Sequence, residues 1–171
     1  MVKAIMIAGF VAACGFLGTI KAEELKERIV LLEDFRRMLL YLKGKINYFR
    51  EPLTTMVETD EKNGRSKAFK LLIEAGTALS EKNDEMGQIW GQEADSIYNG
   101  TPLTESDMEI IRYPGCFLGQ TDWQNQQASF DYLEQRLENQ LAEAGQVYAS
   151  RGPLYRKIGF FAGGLAAIIF I

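Results

Sequence analysis

Chemistry at neutral pH needs a group that gains and loses a proton there, and this 171-residue chain contains no histidine. Ser-His and Cys-His nucleophile pairs and histidine-ligated zinc or haem are therefore excluded. The two cysteines, Cys14 and Cys116, cannot build a four-thiolate metal site or a disulfide framework. Cys116, beside Phe117 and Leu118, reads as a small buried apolar residue. What remains is carboxylates. Glu81 with Glu85, and Glu134 with Glu138, lie one helical turn apart and could share a metal or a proton. Like charges at that spacing are ordinary on a solvated helix face, which is the better reading of both pairs. The phosphate-binding pattern GxxxxGK, the dinucleotide pattern GxGxxG and an Asp/Asn calcium loop are all missing from the sequence. The residues point to a chain with no catalytic group, no cofactor and no metal.

Charge divides unevenly along the chain. Residues 1–20 carry Lys3 alone, and residues 21–70 carry 12 basic against 9 acidic residues. Residues 71–150 carry three basic residues (Lys82, Arg112, Arg136) against 14 acidic, and residues 151–171 carry Arg151, Arg156 and Lys157. A nucleic-acid binder needs Lys and Arg clustered along a phosphate track, which this layout does not offer. An acidic middle between basic ends suits a protein whose ends meet an anionic membrane.

The ends are also where the apolar residues run unbroken. Ala4–Ile20 is 17 residues without a charge, about 25 Å as a helix, and reaches across a bilayer core if Lys3 and Lys21 snorkel. Ile158–Ile171 gives 14 more behind a collar of Arg156 and Lys157, with no polar side to offer a soluble core. Both read as membrane helices. A signal peptide is the competing reading of the first run, and Val11-Ala12-Ala13-Cys14 resembles a bacterial lipobox in which Cys14 would be lipidated. The run continues to Ile20, however, where lipoproteins turn polar, so a retained anchor fits better. Lys21, Lys26 and Arg28 follow the first run and Arg151, Arg156 and Lys157 precede the second, which places residues 21–157 in the cytoplasm and both termini outside. Ala4, Ala8 and Ala12 in one run and Gly159, Gly163 and Ala167 in the other are spaced for close helix packing, although Gly and Ala are common in membrane helices generally.

Between the runs the pattern is helical. Leu25, Leu32, Leu39 and Ile46, with Arg28, Phe35, Leu42 and Phe49, form a heptad stripe that continues the first helix to Glu51-Pro52. Pro52–Asp60 reads as a short helix. Arg65–Leu79 presents Phe69, Leu72, Ile73 and Leu79, and Met86–Tyr98 presents Ile89, Trp90, Ala94 and Ile97. Asn99-Gly100-Thr101-Pro102 reads as a turn, after which Thr104 and Asp107 have capping-box spacing for a short helix stopping at Pro114-Gly115. The last long helix begins near Thr121 or Asp122 and carries Trp123, Phe130, Leu137 and Ala144, with Leu133, Leu141 and Tyr148 beside them. Gly152-Pro153 should break or kink it. No segment alternates as a strand does. The expected fold is all-α: an antiparallel bundle of about six helices, flanked by an N-terminal and a C-terminal transmembrane helix. Its expected parts are a first membrane helix over 1–21, a cytoplasmic bundle over 22–151 and a second membrane segment over 152–171.

Along nearly its whole length the chain resembles the stage III sporulation protein AB family. The resemblance lies in the N-terminal anchor; in Arg36, Leu39 and Leu42 running into Ile46, Tyr48, Pro52 and Leu53; in Gly115, Leu118-Gly119, Asp122 and Gln126-Gln127; and in Tyr155-Arg156, Ile158-Gly159 and Gly163. That family is similar to the cytoplasmic domains of type II secretion and type IV pilus inner-membrane platform proteins. The resemblance implies a non-enzymatic scaffold in the mother-cell membrane facing the forespore. Its partners would be other membrane proteins of the same sporulation complex and a secretion-type cytoplasmic ATPase, with a homo-oligomer also open. It makes Tyr48, Pro52, Leu53, Gly119, Asp122 and Gln126 candidates for partner contact. Each has a plainer role as well: Pro52 and Gly119 can end helices, Asp122 can cap one, and Tyr48 and Leu53 can be core. Lys45, where the family has an acidic residue, and Gly152-Pro153 depart from its pattern. A membrane-anchored helical adaptor or sensor unrelated to transport is the alternative.

Overall fold

The computed structural model describes residues 2–49, 66–81, 86–118 and 123–170, with side chains undescribed at 2–12, 14, 47–49, 80–81, 123, 156, 159–160 and 162–170. Among these residues there are five α-helices and no strand. They are α1 (Val2–Phe49), α2 (Lys67–Glu81), α3 (Met86–Ile97), α4 (Glu105–Arg112) and α5 (Trp123–Phe170), with a 3-10 turn over Tyr113–Cys116 between α4 and α5. The helix expected over Pro52–Asp60 lies outside the described residues. Contacts divide the chain into two compact units, one of residues 30–141 and one of residues 1–29 with 142–171.

In the unit of residues 30–141, α1 is buried over more of its circumference than a coiled-coil seam requires. Leu32, Phe35, Leu39 and Leu42 are buried as the heptads predict, and so are Leu31 and Met38. The reason is that α1 has neighbours on two sides. On one side Tyr41 stacks on Phe69 of α2 at 5.5 Å between ring centroids. On the other, ion pairs tie α1 to α5: Arg36 to Glu138 at 2.7 Å, and Lys43 to Asp131 at 2.7 Å and to Glu134 at 2.9 Å. Partner numbers fall along α5 as they rise along α1, so the two helices run antiparallel. Phe130, Leu133 and Leu137 form the buried stripe of α5 here. At about 1.5–3 kcal/mol for each large apolar side chain, this shared burial outweighs anything the surface ion pairs add.

The short helices are held by their ends. Thr104 accepts from the Asp107 N–H while the Asp107 carboxylate accepts from the Thr104 N–H, the capping box expected from the spacing. Gly100, at φ 72°, turns the chain between α3 and α4 in a conformation that favours glycine. Ile89, Trp90, Ala94 and Ile97 are the buried residues of α3, as expected, and the Trp90 indole donates to the Ile111 carbonyl at 2.8 Å. α3 crosses the 3-10 turn at two glycines. A Cβ on Gly115 would meet the Trp90 Cβ at 3.0 Å and the Gly87 Cα at 3.2 Å, so backbone approaches backbone without room for a methyl group. Gly115 therefore belongs to the packing of this crossing.

In the unit of residues 1–29 and 142–171, Ala22 and Ala144 are buried, and the buried Arg28 guanidinium lies 3.7 Å from Glu143. The break expected at Gly152-Pro153 does not occur: α5 runs through Pro153 to Phe170. Proline removes one N–H, and with it the bond to the carbonyl four residues earlier, yet the turns on both sides keep the helix. Gly152 fits because a Cβ there would meet the Tyr148 ring at 3.2 Å. Among the described residues no helix is long and apolar enough to cross a membrane. Most of the two charge-free runs falls on residues whose side chains are not described, as do Ala4, Ala8, Ala12, Gly159, Gly163 and Ala167.

Candidate functional site

The polar residues of α1 serve as connectors. Lys43 donates to both Asp131 and Glu134, and these bonds raise its pKa above the ordinary 10.5, so it is a fixed cation near neutrality. Glu134 and Glu138 thus do not form a merely solvated acidic face. Each is held by a different basic residue of α1. Buried Asp34 reaches across to α2, where it accepts from the Ala68 N–H at 3.3 Å and so satisfies one of the free donors at that helix start. Arg37 donates to its other oxygen at 3.4 Å. Lys67 donates to the Ile97 carbonyl at 3.0 Å, which brings the start of α2 to the end of α3.

Beside this clip, Tyr98 is buried, and desolvation pushes its pKa upward with the Asp34 charge adding to the shift. Its hydroxyl and the Arg36 Nε are buried without a hydrogen-bond partner among the described residues. On the outer side of α4, Arg112 donates to Asp95 and to Glu105, bonds that raise its pKa further. Tyr113 and Tyr132 stack at 5.6 Å between centroids, with Arg136 over the Tyr132 ring. Cys116 is exposed, against the expectation of a buried thiol, because the 3-10 turn points Gly115 and Phe117 inward and leaves the residue between them outside.

Of the six partner-contact candidates, only Gln126 has a described side chain. It is buried and donates to the Phe117 carbonyl at 3.3 Å, joining α5 to the end of the 3-10 turn. The side chain of Tyr48 is not described, and Pro52, Leu53, Gly119 and Asp122 lie outside the described residues. Among the described residues no group of three or more Cys, Asp or Glu could hold a metal ion. Reading by heptads passed over Asp34 and Tyr98. The available signal was an acid at position 34 in helical register with Leu31 and Met38, on a side that a second neighbour had to cover.

The other exposed feature is apolar. Phe16, Leu17 and Ile20 in α1, and Leu154, Ile158 and Phe161 in α5, stand open to the surroundings, with Phe16 at 67% and Phe161 at 72% exposure. Leu154, Ile158 and Phe161 follow one another on one side of the helix. Soluble surfaces carry single apolar residues without consequence, whereas these six large ones are gathered in one unit.

No solved structure matches the chain. The stage III sporulation protein AB of Bacillus subtilis (strain 168) is 25% identical over 169 residues, covering 99% of each chain. The model of the family described as stage III sporulation protein AB matches residues 3–171. A chain matched over residues 3–171 in this way belongs to the stage III sporulation protein AB family.

Proposed function

We propose that the chain is a non-enzymatic scaffold of a secretion-like sporulation complex that joins mother cell and forespore. In this reading its ends lie in the mother-cell membrane, residues 22–151 form a cytoplasmic helical bundle, and the bundle couples a secretion-type ATPase to the membrane components of the complex. Membership of a sporulation family supports the setting. The observation that carries the membrane part is the set of exposed apolar side chains at Phe16, Leu17, Ile20, Leu154, Ile158 and Phe161, of which all but Leu154 lie within the charge-free runs Ala4–Ile20 and Ile158–Ile171. Lipid gives such residues an apolar surrounding that water does not.

The scaffold part rests on what the described side chains do. The ionised groups of α1 bind α2 and α5, and the buried polar groups join helices, as a body that holds partners in place requires. The C-terminal run is short for an anchor that a second membrane helix already provides, so Gly159, Gly163 and Ala167 are proposed to pack against another membrane helix. Replacing Gly159 and Gly163 together by leucine keeps the segment apolar while preventing close approach. The pair should still be recovered in the membrane fraction, and sporulation should fail. Normal sporulation by Gly159→Leu/Gly163→Leu would contradict that contact. Release of the bundle from the membrane should likewise lower co-purification of the ATPase, because membrane attachment sets the effective concentration of both.

A further inference from the structure

The exposed apolar side of α5 is interleaved with cations. Arg151, Leu154, Ile158 and Phe161 stand at intervals of three, four and three residues, which puts them on one side of the helix, and Lys157 lies beside Leu154 and Phe161; all five are exposed. In α1 the same arrangement appears in reverse order: exposed Phe16, Leu17 and Ile20 end at exposed Lys21, which is paired to Glu24 at 2.6 Å. Acids are missing from both stretches, since Glu23 is the first in the chain and Glu143 the last. Arg151 and Lys157 thus have no carboxylate on their own helix from residue 144 onward. In α5 an apolar side that carries cations, with no carboxylate on that helix beyond Glu143, matches a bilayer leaflet whose headgroups are negative.

Resting on the membrane reading above, we infer that this unit selects anionic phospholipid, with Arg151 and Lys157 binding headgroup phosphates while Leu154, Ile158 and Phe161 meet the acyl chains below. Lys21 contributes less, because Glu24 already offsets its charge. The occupant is the leaflet itself, since a soluble phosphate would satisfy the two cations and leave the apolar side uncovered.

Full-length protein reconstituted in phosphatidylcholine bilayers, with trace spin-labelled phosphatidylglycerol or spin-labelled phosphatidylcholine, measures the preference as the ratio of motionally restricted label. One basic residue near an anionic surface is worth about a fivefold preference, so a ratio of roughly five or more is expected at low salt, falling as salt rises. Arg151→Gln/Lys157→Gln should lower the ratio severalfold, leaving what Arg156 and Lys21 contribute, while the total restricted fraction stays the same. Equal restriction of the two labels by the wild type, or an unchanged ratio in the double variant, would overturn the selectivity and leave the membrane reading standing. A wild type that restricts neither label would instead overturn the membrane reading.

Discussion

Gly115 and Tyr98 show how differently single residues are constrained. The Cβ of Gly115→Ala would press on the Gly87 Cα and the Trp90 Cβ, neither of which is the free end of a flexible chain. The substitution should cost about 1–3 kcal/mol, read as a lowered Tm of the full chain in detergent. An unchanged Tm would mean that α3 and the 3-10 turn separate easily. Tyr98 is the reverse case, since its hydroxyl is buried without a bond and Phe should fit without loss. Its pKa lies above the ordinary 10, and that of Lys43 above 10.5. Both are raised in the folded state, so the stability they contribute is whole below those ordinary values and is lost as pH rises beyond them. Tm should hold steady from neutrality to about pH 10 and then fall, less steeply in Tyr98→Phe than in the wild type. Identical alkaline profiles would contradict the burial of that phenol in the native state.

At the scale of elements, helices with a local signal could be read from the sequence, and those shaped by a neighbour only in part. The capping box at Thr104 and Asp107 and the four buried residues of α3 were legible because each rests on residues within one or two turns. The full buried girdle of α1 was not legible, because heptads reveal one seam, whereas Leu31 and Met38 are buried at helical spacing from Asp34, which reaches a second neighbour, α2. Of the break or kink expected at Gly152-Pro153, the break does not occur, because the penalty of a proline is local and the turns on both sides continue α5. The antiparallel pairing of α1 with α5 is the most exposed claim at this scale. Leu39 is buried, one turn from Arg36 and Lys43 on the side of α1 that carries their ion pairs to α5. Leu39→Asp should therefore cost about 3–5 kcal/mol through an unpaired charge and a lost side chain, and a detergent-solubilised variant with unchanged Tm would contradict the packing.

For the whole molecule, the family could be read from short strings in a fixed order, and the match over residues 3–171 shows it. The partner surface could not. Five of the six candidate positions have no described side chain, and the sixth, Gln126, is occupied inside the fold by the Phe117 carbonyl. A partner contact is a property of two surfaces, and one sequence carries half of it. The central claim is that both ends sit in the membrane with the bundle on the cytoplasmic side. It rests on six basic residues flanking that side of the runs against Lys3 alone beyond them. The direct measurement is thiol labelling with a membrane-impermeant reagent, in a chain whose Cys14 and Cys116 are replaced by serine and which carries a single new cysteine. Lys62→Cys should be protected in intact cells and labelled after permeabilisation, whereas Val2→Cys should be labelled in intact cells. Labelling of Lys62→Cys in intact cells would contradict the account.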